Sequence, residues 1–271
     1  MAEITRWRRL PPQLIARCHA AALEDYRLFA RYTDGGAIEE DPGSLFVNLD
    51  SVDTMENVAF FLDPPSDPVE AFNRAEAFFH RHGRPWCALL FPEAQRAMRP
   101  VLAKQGFLDE GKFPGMLRRG PPSATPPAPE GLRIKRADSL NHLEDIQRAA
   151  SRSYGIPYEP PDPRWLRAPG LSLYVGYLGR RPVVHGALIA AYKVAGVAFV
   201  GTVPEGRHRG FARALVGRIL SDGASEGCDV AYLWSTPMGF GVYASMGFER
   251  ILDYEIWSSP GAPLPPAIRR G

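Results

Sequence analysis

The sequence predicts an α/β (α+β) protein with mixed, mostly antiparallel sheet pairing, and three observations carry that class. Between residues 171 and 203, β-branched and small apolar residues form successive short runs separated by turn residues, as strands in meander order do. Downstream, apolar residues at helical spacing alternate with further strand-like runs, which excludes an all-helix or all-sheet protein. Helix, glycine, strand, short helix and Gly-Phe also follow one another in that order in both halves of the chain, a weak internal repeat.

The first clear element is a helix opened by Asp67-Pro68-Val69-Glu70. This is a capping box with proline at the first helical position, and it leads into Phe72 and Phe79 on one side. Gly83 ends it. Trp86 to Phe91 reads as a strand and Glu93 to Gln105 as a helix, followed by Gly106-Phe107. Gly120 to Glu130, GPPSATPPAPE, holds five of the chain's 27 prolines and no large apolar residue, so residues 120–130 are expected to be a stiff, unpacked linker. Beyond it, Leu132 to Arg136 is a short strand and Ser139 an N-cap for a helix through Leu143, Ile146 and Ala150. After a loop rich in Tyr, Pro and Trp come strands at Leu171 to Leu178, Val183 to Val194 and Val197 to Val203. Phe211, Leu215 and Ile219 then mark a helix that stops at Gly227. Asp229 to Trp234 is a strand, Phe240 to Met246 a short helix, and Glu249 to Trp257 a final strand alternating through Leu252, Tyr254 and Ile256. Residues 259–271 read as a Pro-rich tail.

At 271 residues the chain exceeds the usual single-domain size, so two domains are expected, 1–119 and 131–258 on either side of the linker. A formal net charge of +2 without a dense basic run argues against nucleic acid as the main partner. Neither a signal peptide nor an uninterrupted membrane-length apolar run is found, so no membrane association is expected. Three widely spaced cysteines, Cys18, Cys87 and Cys228, fit neither a disulfide framework nor a metal cluster; a reducing, cytoplasmic setting and no metal are expected.

The sharpest chemical signal is Val203-Pro204-Glu205-Gly206-Arg207-His208-Arg209-Gly210-Phe211-Ala212, where a strand feeds into a helix through a glycine turn. Successive free N–H groups at a helix start, reinforced by the helix dipole, cradle an anion such as a pyrophosphate. Gly210 and Ala212 let phosphate oxygens approach the backbone, and Arg207 and Arg209 can add charge-assisted hydrogen bonds. Taken alone, the same residues also describe an ordinary left-handed turn with solvated arginines. Gly239-Phe-Gly-Val-Tyr-Ala244 formally fits a dinucleotide-binding pattern, but Gly247 ends its helix after about two turns, too early for that role.

Arg207-x-x-Gly210-x-Ala212 after Val203-Pro204, followed in order by Tyr243-Ala-Ser-Met-Gly247-Phe248, resembles the GNAT superfamily of acyl-CoA-dependent N-acyltransferases over about residues 131 to 258. The resemblance implies transfer of an acetyl group, from acetyl-CoA or another short acyl-CoA, to a small-molecule or peptide amine by direct attack in a ternary complex. It implies that residues 207–212, with His208 and Phe211 among them, hold the pyrophosphate. The backbone at Thr202 and Val203 would hold pantetheine, and the Tyr243 hydroxyl would protonate the departing thiolate. Tyr243 also reads as a packing aromatic. Two departures stand out. The strand VAFVGTV lacks the acid many members use as general base, which leaves Glu205, His185 and Glu159 as weak candidates beside a water relay. A frequent Asn is replaced by Thr236, whose hydroxyl substitutes less specifically.

By the same resemblance residues 1–119 are a degenerate copy, giving two GNAT-like domains, each a mostly antiparallel twisted sheet flanked by helices. Pro64, Pro65 and Pro68 lack N–H donors where a phosphate cradle would stand, and Leu102 occupies the place of the tyrosine. Such a half would shape the substrate cleft or mimic a dimer partner, and either a monomer or a homodimer is compatible. Tyr154, Tyr158, Trp165 and Trp234 are expected around the acceptor, with Glu159 or Asp162 holding a cation. The alternative to an enzyme is a non-catalytic acyl-CoA sensor.

Overall fold

A computed structural model describes residues 10–120, 128–262, 264, 265 and 268; most of the Pro-rich linker and part of the tail lie outside the described residues. The first half runs α1 (Pro12–Arg31), β1 (Ala37–Asp41), β2 (Ser44–Asn48), β3 (Asn57–Phe61), α2 (Pro68–His82), β4 (Cys87–Leu90), α3 (Gln95–Lys104) and β5 (Leu108–Arg119). The Asp67 side chain accepts from the Val69 and Glu70 N–H groups and Gly83 closes α2 at φ 63°, as the capping box predicts. Sequence periodicity gave no element before Asp67 and none over β5. The reason is local: α1 starts without a side-chain cap or an acidic first turn, and β5 carries Gly111, Pro114 and Gly115, which read as strand breakers.

The second half runs β6 (Leu132–Arg136), α4 (Leu140–Tyr154), β7 (Leu171–Leu178), β8 (Arg181–Ala191), β9 (Val194–Thr202), α5 (Phe211–Ser225), β10 (Val230–Trp234), α6 (Phe240–Ser245) and β11 (Glu249–Ser258). The strand expected over residues 183–194 turns at Tyr192-Lys193, both left-handed at φ 52° and 57°. A two-residue hairpin normally announces itself with Asn-Gly; here neither residue gives that signal. Ser139 is extended at the N-cap but makes no capping bond to the helix backbone; its Oγ lies 3.1 Å from His142 Nδ1.

All eleven strands form one sheet in the order β1-β2-β3-β4-β11-β5-β10-β9-β8-β7-β6. Most pairs are antiparallel, while β3–β4 and β9–β10 are parallel. The order helix, three strands, helix, strand, helix, strand thus occurs twice, and in each half the third and fourth of those strands are the parallel pair. The last strands are exchanged. β5, from the first half, pairs with β10 of the second, β11 pairs with β4 of the first, and the two lie side by side. The chain therefore divides in sequence near 120–130 but not in the sheet, where β5 stands between β10 and β11.

Alternation along the strands sorts the helices onto two faces. Leu171, Leu173 and Val175 of β7 share a buried cluster with Leu143 and Ile146 of α4 and with Cys18 and Ala21 of α1. Tyr174, pointing the other way, packs with Leu215 and Ile219 of α5, and on that same side of the first half α2 and α3 bury Phe72, Phe79 and Met98. Although α1 belongs to the first half in sequence, it is anchored on the second. Arg17 donates to the carbonyls of Tyr192 (2.9 Å) and Lys193 (3.0 Å) in the β8–β9 turn and pairs with Asp229. Trp165 stacks on Phe29 at 4.3 Å and donates to Thr33 Oγ1, so it is a dock between the halves and not an acceptor-site residue.

Candidate active site

β9 and β10 pair only from Val194–Gly196 against Val230–Tyr232 and then part. Beyond that point β9 carries a bulge. The β8–β9 register jumps between His185/Gly201 and Ala187/Ala198, and Phe199 takes a left-handed φ of 52°, which lifts Phe199 and Val200 out of the ladder. The parting opens a cavity of ≈ 420 Å³. The corresponding pair in the first half stays closed: β3 and β4 match through Phe61 and Leu90, and Phe91 N–H then bonds the Phe61 carbonyl at 3.0 Å.

At one end of the cavity the helix α5 begins at Gly210, whose φ of 78° is open to glycine and strained for other residues. No side chain caps this helix, so its first N–H groups face the cavity together with Arg207, His208, Phe211 and Ala212. Uncapped N–H groups at a helix start suit an anion. The arginines act differently from expectation. Arg207 donates to the Ser153 carbonyl at 3.1 Å and the Thr202 carbonyl at 3.5 Å, bracing the turn. Arg209 lies 4.8 Å over the Phe211 ring. In the first half the α2 start is occupied by the Asp67 carboxylate, which excludes an anion there.

The backbone expected to hold a ligand at Thr202 and Val203 is committed elsewhere. Thr202 pairs with Val184, and Val203 N–H donates to the Val183 carbonyl at 3.1 Å. The bulge at Phe199–Val200 is where β9 leaves its partner, three residues earlier. Sequence periodicity missed it because a bulge has no composition of its own here. Tyr243, on α6, is buried and lines the cavity; burial raises its pKa, so its hydroxyl keeps its proton at neutral pH. Thr236 also lines the cavity, with Oγ1 accepting from Gly239 N–H at 3.2 Å, which leaves its hydroxyl proton for another partner.

None of the three sequence-derived base candidates lines the cavity. Glu205 is 54% exposed on its side chain, paired with Arg152 at an outer depression, and held below the usual carboxylate range by its own backbone N–H and that arginine. Burial pulls His185 down to about 3, against a smaller upward pull from the Phe199 backbone; its neutral ring bonds Ser153 Oγ at 3.0 Å. Gly201 makes room for that pair, since a Cβ there would sit 2.3 Å from His185 Nε2. Glu159 is exposed. Asp162 is drawn down to about 2, chiefly by Arg164, and also lies outside the cavity.

The acids that do face the cavity come from the first half: Asp25 on α1, and Asp53 and Glu56 at a 3-10 turn between β2 and β3. Asp53 accepts from Met55 N–H at 2.9 Å and from the Tyr158 hydroxyl. Burial pushes Asp25 and Glu56 up to about 8, in Glu56 with a further push from Asp53. Tyr26, Tyr154, Tyr158, Phe199 and Trp234 form the walls, as expected for Tyr154, Tyr158 and Trp234. Sequence reading expects the first half to shape the cleft but misses these acids, because it finds no element before Asp67 on which to place them. The three cysteines are free and none lines the cavity. Among the described residues no cluster suits a metal ion, and no helix is long and apolar enough to cross a membrane.

An α/β protein whose sheet parts between two parallel strands, beside a bulge and an uncapped helix start, has the N-acetyltransferase fold. Residues 175–251 match the family model described as an acetyltransferase (GNAT) domain. A GCN5-related N-acetyltransferase from Kribbella flavida is similar at TM-score 0.66 and 20% identity, over 89% of this chain and 96% of that one. A GCN5-related N-acetyltransferase-like protein from Streptococcus suis gives TM-score 0.59 at 14% identity, over 89% and 99%. A GCN5-related N-acetyltransferase from Sphaerobacter thermophilus gives 0.57 at 14%, over 84% and 78%. At these identities the likeness is one of fold. No curated protein matches the sequence.

Proposed function

We propose that this protein transfers an acetyl or other short acyl group from acyl-CoA to a primary amine, by direct attack in a ternary complex. One observation carries this reading: the uncapped start of α5 and the Tyr243 side chain open onto one cavity, which runs on past them to Asp25, Tyr26 and Glu56. An anion site, a proton donor and room for a second substrate are then in line. The binding-only alternative uses no such extension.

In this reading the N–H groups from Arg209 to Ala212 and the α5 dipole take the pyrophosphate, and the bulge at Phe199–Val200 faces the pantetheine arm. Acyl-CoA supplies an activated thioester carbon. The chain's residues orient it, exclude water and move protons. An ammonium acceptor sheds two protons as the C–N bond forms and the C–S bond breaks; Tyr243 passes one to the departing sulfur and the other leaves to solvent. Without a cysteine at the cavity, no acyl-enzyme is required.

We also take residues 1–119 as a degenerate copy of residues 131–258, joined by the 120–130 linker and followed by the 259–271 tail. Its closed β3–β4 pair and self-capped α2 support a half that shapes the acceptor cleft and binds no acyl-CoA. Three free thiols fit a reducing, cytoplasmic setting. The test is thermal stabilisation by CoA together with thiol release from acetyl-CoA across an amine panel. No stabilisation at saturating CoA would remove the cofactor assignment.

A further inference from the structure

We propose that Asp25, with Glu56 and Asp53 also facing the cavity, seats the acceptor's ammonium, and that the acceptor is a compact primary amine with an apolar body and no acidic group. This rests on the acyltransfer reading above and supplies what that reading lacks: the acceptor class and the group that receives its first proton. Asp25 Oδ1 is shielded from solvent and has no hydrogen-bond partner, while its residue faces the cavity. Buried carboxylate oxygens are nearly always satisfied, so an unpartnered one aimed into a cavity points to a cationic ligand.

The surroundings narrow the ligand. Asp25, Asp53 and Glu56 put three acids on the first-half side, whereas the arginines of the lining, Arg207 and Arg213, belong to the α5 end. An acceptor carrying its own carboxylate would add a fourth acid to that side, where burial already makes ionisation costly. The walls are rings: Tyr26 and Trp234 stack at 5.7 Å, and Tyr154, Tyr158 and Phe199 lie 5.5 to 5.9 Å apart. Ring faces hold ammonium groups and apolar bodies, and they give few partners to the hydroxyls of an amino sugar. The ammonium N–H transfers to Asp25 Oδ1, which becomes O–H and leaves the nitrogen lone pair free to attack. Burial raises Asp25 and Glu56 to about 8, so in the free protein Asp25 mostly holds a proton near neutral pH; as the ammonium arrives that proton leaves to solvent, and the ionised carboxylate then accepts the one from nitrogen.

The matched test compares phenethylamine with phenylalanine, which differs by one carboxylate, and with glucosamine, in thiol release from acetyl-CoA. Phenethylamine should be preferred in kcat/KM by about tenfold or more over both. Asp25→Asn should raise the phenethylamine KM by about tenfold or more while CoA affinity, read by calorimetry, stays unchanged. Glu56→Gln serves as the second variant should Asp25→Asn fail to fold, with the same shift expected. Equal or better use of phenylalanine or glucosamine overturns the proposal, and so does an unchanged amine KM in the folded variants. So does CoA binding without thiol release from any amine, which leaves the cofactor assignment standing. Loss of CoA binding in the wild type instead overturns the acyltransfer reading itself.

Discussion

Asp25→Asn, examined without any ligand, reads how dry the acceptor end of the cavity is. Burial alone moves Asp25 from 3.8 to about 8. A carboxyl whose folded pKa is raised contributes its full stability below about pH 4, where both states hold the proton. That stability is lost as pH rises toward 8, because only the unfolded chain releases the proton freely. The gap of roughly four pH units, at ~1.36 kcal/mol each, sets a ceiling of about 5 to 6 kcal/mol. Relaxation and water entry through the cavity mouth reduce this to about 2 to 3 kcal/mol. Asparagine does not titrate, so the melting temperature of the variant minus that of the wild type should grow by roughly 5 to 10 °C from pH 5 to pH 9. Scanning calorimetry at fixed ionic strength measures it, and Glu56 and Asp53, present in both proteins, cancel to first order. A flat difference across that range would refute the reasoning and make Asp25 a solvated, ionised surface acid.

Tyr243→Phe should lower kcat by about 10²- to 10⁴-fold with CoA affinity kept, as single-turnover kinetics and calorimetry would separate; equal turnover removes the tyrosine as acid. Glu205→Gln should leave both the turnover and the pH–rate profile unchanged, because this exposed residue pairs with Arg152 outside the cavity; loss of the acidic limb of that profile would restore it as base. Ala212→Asp, which places a carboxylate in the first turn of α5, should weaken CoA binding by about tenfold or more, measured by titration calorimetry. A chain cut to residues 128–271 should be insoluble or unfolded by circular dichroism, since it removes β5 from between β10 and β11 and β4 from the far side of β11, exposing three strand edges; a cooperatively melting fragment would show that the second half stands alone.

Much of the second half is legible residue by residue because its signals are local. Gly210 and Ala212 after Val203-Pro204 need only their neighbours to specify a strand, a turn and a helix start, and Tyr243 keeps fixed spacing to Gly247-Phe248. Asp67 and Pro68 announce α2 for the same reason. Where the signal lies in a long-range contact, the sequence is silent. The bulge at Phe199 depends on β8 running past it, and the Tyr192-Lys193 turn is held by Arg17 from the far end of the chain.

The sequence by itself determined the α/β class, the glycine turn that opens the helix at Phe211, the place of Tyr243 on a short helix before Gly247-Phe248 and the lack of N–H donors at Pro64, Pro65 and Pro68. All of these are set by backbone preferences and short spacings. Only the tertiary structure decided that β5 and β11 change places, since exchanging last strands leaves each strand's own pattern intact. It alone brought Asp25, Asp53 and Glu56 against Tyr154 and Trp234. Nothing in the sequence marks those acids; they acquire a common environment only when α1 packs on the sheet and burial removes the water that would solvate them.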